Sequence, residues 1–102
     1  MKKLLVCLIF ALTFCTACYR HDDVPTIKFA SWGSQSEVAI LKPLIEDFEQ
    51  KNGVKVEFMH IPQNYFQKLH LLFASNMPPD VIFINNLYLP VYADFLEDLT
   101  PY

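Results

Sequence analysis

Residues 26–58 open with Thr26-Ile27-Lys28-Phe29-Ala30-Ser31 and close with Val54-Lys55-Val56-Glu57-Phe58, and what lies between decides the fold. Both end segments alternate apolar with polar side chains, the two-residue period of a β-strand. After Trp32-Gly33, the run Ser34-Gln35-Ser36-Glu37 has the spacing of a capping box. In that motif the serine hydroxyl and the glutamate carboxylate each satisfy an orphan amide at a helix start. Val38, Leu41, Ile45 and Phe48 then recur at helical spacing, with Ile40 and Leu44 widening the apolar stripe. Lys42, Glu46, Asp47, Glu49 and Gln50 face away from it. Pro43 sits inside the pattern, marking either a kink or the first turn. Asn52-Gly53 ends the helix, because glycine supplies the left-handed conformation a helix terminus wants.

Downstream, Met59 to Asn64 reads as a loop. Tyr65, Leu69, Leu72 and Asn76, with Phe66 and Phe73 beside them, give a second amphipathic helix that Pro78-Pro79 stops. Asp80 is expected to cap or brace the strand that follows. Val81-Ile82-Phe83-Ile84 is a continuous apolar run, which fits a central parallel strand covered by helices on both faces. After Asn85-Asn86 a weaker helical pattern runs from Leu87 to about Leu96. The expected fold class is α/β: a three-stranded parallel βαβαβ(α) sheet with right-handed crossovers, doubly wound, over residues 26–102.

Upstream, Lys2 and Lys3 precede an apolar run from Leu4 to Phe14, and Cys15-Thr16-Ala17-Cys18 is followed at once by Arg20, Asp22 and Asp23. This is the layout of a secretory signal over residues 1–17, with an apolar core too short to cross a bilayer comfortably. Small residues before Cys18 resemble a lipobox, so Cys18 is expected to carry lipid, although Cys15 stands where that motif usually has leucine. Ordinary signal cleavage and an uncleaved anchor are the alternatives. Residues 18–25 read as a polar tether. Cleavage before Cys18 takes Cys7 and Cys15 away, leaving no free thiol for disulfides, thiol catalysis or metal. It also removes Lys2 and Lys3, taking the formal charge from -3 to -5. A mildly acidic chain without a basic cluster is a poor partner for nucleic acid. The remaining residues make one small domain of modest burial, expected to be marginally stable alone.

Ligands of open parallel sheets bind beyond the carboxyl ends of the strands. Those ends carry Trp32, Gly33, Ser34 and Gln35, then Met59 to Asn64, then Asn85 and Asn86. Their amide, hydroxyl and aromatic chemistry suits a neutral polyhydroxyl solute, which needs donors and acceptors at its rim and a flat apolar face to stack on. Each residue has a second reading. Trp32 packs on the helix below it, Asn85 and Asn86 serve as turn residues, and Ser34 is a helix cap. His60 and His70 show no metal-ligand spacing, and His21-Asp22-Asp23 is a solvated tether. Glu57 stands alone, and no serine, histidine and carboxylate arrangement is legible, so neither an enzyme nor a cofactor is expected.

Six segments in order resemble family 1 of the extracellular solute-binding proteins. They are Phe29-Ala30-Ser31-Trp32-Gly33, Leu44-Ile45-Glu46-Asp47-Phe48-Glu49, Gly53-Val54-Lys55-Val56-Glu57, Tyr65-Phe66-Gln67-Lys68-Leu69, Pro79-Asp80-Val81-Ile82-Phe83, and Leu96-Glu97-Asp98-Leu99-Thr100-Pro101. The resemblance implies the start of the first lobe of a two-lobed periplasmic-binding-protein fold, with Trp32 to Ser36, Gln63 to Tyr65 and Asn85 to Tyr88 lining the cleft. Asn64 and Tyr65 join the candidate site on that ground. It also implies a sugar or related small polar solute, ABC permease subunits as partners, and a lipid-anchored place in the cell envelope facing the periplasm or the outside. Chains of the resembled family are several times longer. The expectation is therefore that these 102 residues bind sugar weakly or not at all by themselves, the alternative being a small envelope lipoprotein or gene remnant without a transport role.

Overall fold

The computed structural model describes residues 23–102. The expected signal at 1–17, the lipidation at Cys18 and the tether as far as Asp22 lie outside the described residues. Strand β1 spans Thr26–Ser31, helix α1 Gln35–Asn52, β2 Lys55–His60, α2 Tyr65–Ala74, β3 Val81–Ile82 and α3 Leu89–Tyr92, which tightens into a 3₁₀ turn at Ala93–Phe95. The strands are parallel and lie in the order β2-β1-β3. Thr26 to Ser31 pair in register with Lys55 to His60, and Phe29 and Ala30 pair with Val81 and Ile82.

The capping box forms as its spacing predicts. Ser34 Oγ accepts from the Glu37 N–H while Glu37 Oε2 accepts from the Ser34 N–H, at 3.3 and 2.6 Å. At the other end Gly53 adopts φ 62° and donates its N–H to the Glu49 carbonyl. Pro43 lies well inside α1, past the first turn, so the helix runs through a position that cannot donate to the carbonyl of Ala39. Glu49 accepts the Val56 N–H at 2.6 Å and so covers part of the outer edge of β2. Asp80 braces the third strand as expected: its carboxylate accepts the Lys28 N–H at 2.8 Å and its own N–H donates to the Lys28 carbonyl.

Because β2 and β3 lie on opposite sides of β1, the two crossovers run in opposite directions, and right-handed crossovers of opposite direction cover opposite faces. The packing agrees. Ile27, Phe29, Val56 and Val81 line a depression with Leu41, Leu44, Ile45 and Phe48 of α1. On the other face Ala30 is buried with Ile61, Tyr65, Leu69 and Tyr92, and Ile82 and Ile84 pack against them.

Three expectations are corrected. The run Val81–Ile84 is not a central strand: only Val81 and Ile82 are in β3, which stands at an edge among the described residues. The crossover through α2 passes over β1 and sets β3 down on the far side, leaving Val81 48% and Phe83 37% exposed. Met59 and His60 are not loop residues, because pairing with Ala30 and Ser31 carries β2 through His60. The helix expected from Leu87 to Leu96 shrinks to α3 and its 3₁₀ turn. Pro90 stands in its first turn, where the missing N–H breaks no helical bond, and thus marks its start.

Candidate functional site

In a doubly wound sheet the ligand crevice opens between the two neighbouring strands at which the strand order reverses. Here those strands are β1 and β3. From β1 the chain turns into α1 on one face, whereas from β3 it turns toward α3, whose Tyr92 packs with α2 on the other. The crevice is therefore bordered by Trp32 to Gln35 and by Phe83 to Asn86, with the turn after β2 alongside.

An aromatic cluster ties these three loops together. The Trp32 ring meets Tyr65 edge-on at 4.9 Å, Phe83 edge-on at 5.6 Å and Phe66 at 5.6 Å between centroids. Phe66 in turn lies flat on Tyr88, 3.7 Å away and 9° from parallel. Edge-on and offset contacts of this kind contribute about 0.5–1.5 kcal/mol each beyond area burial. Trp32 is partly buried and packs against the core cluster without being enclosed by it. The Phe66–Tyr88 pair also forms one wall of an open cavity of about 520 Å³, completed by His70, Leu71, Val91 and Tyr92.

The residues named from the sequence divide into braced and free groups. Tyr65 is buried, and its hydroxyl donates to the Ala30 carbonyl at 3.0 Å. Burial pushes its phenol up to about 12, so it is a neutral strut beneath the crevice. The Ser34 hydroxyl is taken up by Glu37 and Ser36. The same contacts, first the Ser34 N–H and then its hydroxyl, hold the Glu37 carboxyl below the usual range. Asn85 turns its amide oxygen to the Tyr88 N–H at 3.1 Å and starts the turn into α3. Gly33 stands at φ 129°, a conformation suited to glycine, and Asn64 at φ 52°, which asparagine tolerates better than most side chains. Gln35, Asn64 and Asn86 are exposed, as is the remaining amide of Asn85.

Two contributors, Phe66 and Phe83, went unnamed in the sequence reading of the site, and two more, Tyr88 and His60, fell inside its loops without a role of their own. Phe66 and Phe83 read as core positions of a helix and a strand, and Tyr88 as the start of the helical pattern from Leu87 and the end of the segment that the resemblance sets along the cleft. Only the convergence of the loops shows that they carry Trp32. His60 reads as a loop residue, whereas at the end of β2 its Nε2 lies 2.8 Å from the Gly33 carbonyl. His70 sits on α2 against Tyr92, apart from His60. Among the described residues no cluster of three His, Cys, Asp or Glu side chains that could hold a metal ion is found, and no helix is long and apolar enough to cross a membrane.

The sequence profile of the family described as bacterial extracellular solute-binding protein matches residues 32–102. Comparison with curated proteins and comparison with solved structures each gave no match. The matched region starts at Trp32, takes in α1, β2, α2, β3 and α3, and so contains every loop that borders the crevice except the end of β1 itself. On that match, which spans well over half its length, the chain belongs to the bacterial extracellular solute-binding protein family.

Proposed function

We propose that the crevice at the carboxyl ends of β1 and β3 recognises a neutral, polyhydroxyl solute of the sugar class. The carrying observation is the Trp32 ring, packed on Tyr65, Phe66 and Phe83 in a residue that is only partly buried, with the exposed amides of Gln35, Asn64 and Asn86 and the NH₂ group of Asn85 in the bordering loops. A sugar ring presents an apolar face that stacks on an aromatic plane, and a rim of hydroxyls that amides satisfy as both donors and acceptors. No charged side chain occurs in Trp32–Gln35, Ile61–Asn64 or Phe83–Asn86, which disfavours an anionic or cationic solute.

The rest of the reading follows from the family and from the first eighteen residues. Solute-binding proteins of this kind serve transport from outside the membrane, and members are in general not catalysts. The permease partner is of the ABC type, and the protein is held to the envelope by lipid on Cys18 after removal of residues 1–17. The loops that border the crevice are then the docking face for solute on its way to the permease.

The test uses the protein isolated from its native membrane fraction, titrated with a panel of neutral mono- and disaccharides. Trp32 is the chain's one tryptophan, so its fluorescence reports the crevice directly. One sugar is expected to perturb the emission saturably and, at a hundred times its dissociation constant, to stabilise the fold by about 2.7 kcal/mol. Trp32→Ala should weaken that binding far more than it weakens folding. No response to any neutral sugar would favour an envelope lipoprotein with an idle crevice, and equal losses of binding and folding would make Trp32 a core residue only.

A further inference from the structure

The peptide unit that joins Gly33 to Ser34 is held at both ends by side chains from different elements. Its carbonyl lies 2.8 Å from Nε2 of His60, the last residue of β2. Its N–H donates to Oε2 of Glu37, in the first turn of α1, at 2.6 Å. A carbonyl can only accept, so the His60 Nε2 carries the proton and donates it. Donation to the carbonyl and acceptance from the amide polarise one peptide in the same sense, and each bond strengthens the other. Helix capping alone needs only Ser34 and Glu37. The tie from His60 crosses 27 positions of sequence and acts on the turn, not on the helix.

The turn has need of it. Gly33 at φ 129° has no side chain with which to anchor itself, and it separates the partly buried Trp32 from the start of α1. We propose that His60 is a positioning residue for solute recognition: together with Glu37 it clamps the Gly33–Ser34 peptide and so fixes where Trp32 and Gln35 stand at the crevice. This rests on the reading of the crevice as the solute site, but the clamp is measurable without any solute.

His60 also stacks near-parallel with Phe58, at 6.3 Å and 13°, so donor and packing roles need separating. In the full chain, His60→Phe keeps a ring beside Phe58 and loses the donor, whereas His60→Gln loses the ring and keeps an N–H of similar reach. His60→Ala supplies a second variant without a donor. Far-UV circular dichroism establishes that each variant is folded. The readouts are hydrogen exchange at the Ser34 amide and acrylamide quenching of Trp32. The clamp requires exchange at Ser34 to accelerate about tenfold in His60→Phe and His60→Ala, the change expected for loss of one ordinary hydrogen bond. Quenching of Trp32 should rise in step, and His60→Gln should restore both. Protection that follows the ring, with His60→Phe unchanged and His60→Gln accelerated, would make His60 a packing residue and overturn the proposal. So would rapid exchange at Ser34 in the unsubstituted chain. Failure of the solute reading looks different: no sugar would perturb Trp32, while the exchange pattern at Ser34 stayed as the clamp requires.

Discussion

Replacing Gly33 with alanine tests the geometry of the crevice at its tightest point. A Cβ built at Gly33 would lie 3.0 Å from Glu37 Oε2 and 3.4 Å from its Cδ, and the backbone there has φ 129°. A side chain in so sparsely populated a region costs about 1–3 kcal/mol. Moving the Glu37 carboxylate aside also breaks its part of the capping box, where a lost cap costs about 0.5–2 kcal/mol. Against these, alanine restricts the unfolded chain and returns about 0.4–1 kcal/mol. The expected net loss is about 2–3 kcal/mol, a large share of the 5–15 kcal/mol typical of a small domain. Gly53 is the internal control, since it has φ 62° and nothing within 4 Å of a built Cβ. Gly53→Ala meets only the left-handed strain of about 1–2 kcal/mol, less the same return, and should cost about 1 kcal/mol or less. Reversible chemical denaturation of both variants measures the pair. Equal losses, or a larger loss at Gly53, would refute the assignment of the Gly33 turn as a close-packed, clamped element.

Other outcomes follow from single contacts. Leu69 is fully buried in the core beneath the crevice, so Leu69→Ala should lower stability by about 2–5 kcal/mol, read as a shifted denaturant midpoint at unchanged slope. Tyr65→Phe removes the bond to the Ala30 carbonyl, which still accepts from the Phe83 N–H, and should cost only about 0.5–1.5 kcal/mol. The same phenol gives a pH signature. Its folded value is raised to about 12 against about 10 when unfolded, so the stability it contributes is full below pH ~10 and is lost as pH rises toward ~12. The stability difference between unsubstituted protein and Tyr65→Phe should therefore shrink as pH rises through ~10 toward ~12, and a constant difference would contradict burial of that hydroxyl. Glu37 runs the other way: its folded value is lowered, so its contribution is present above the unfolded value and fades as pH falls through the folded one. Finally, Cys18→Ser should release the protein from the membrane fraction, and retention there would rule out lipid on Cys18 as the anchor.

Much of the local structure was legible without coordinates. The capping box at Ser34–Glu37 and the left-handed stop at Gly53 are decided by hydrogen bonds within a few residues or by a residue's own backbone preferences, and each forms where the spacing puts it. So does the α/β class, because periods of two and of 3.6 residues alternate along the chain. The third strand shows where such reading stops. An apolar run says that a segment is covered, but not by what or on which side of the sheet, and Val81–Ile82 proves to stand at an edge. The site behaves in the same way. That Trp32, Ser34 and Asn85 lie near strand ends follows from their positions in the sequence. That Tyr65 is spent on Ala30, that the Asn85 oxygen is spent on Tyr88, and that Trp32 rests on Phe66 and Phe83 depends on three loops meeting.

The sequence by itself thus determined the order and kind of the elements, the caps that bound the first helix, and the neutral chemistry gathered at the strand ends. These are fixed by contacts between near neighbours and by the side chains themselves. Only the tertiary structure decided the strand order, the opening of the crevice between β1 and β3, and the hold of His60 on Gly33. Those depend on which way each crossover returns to the sheet, and on a carbonyl and an imidazole 27 positions apart arriving within 2.8 Å of each other, a distance no local pattern encodes.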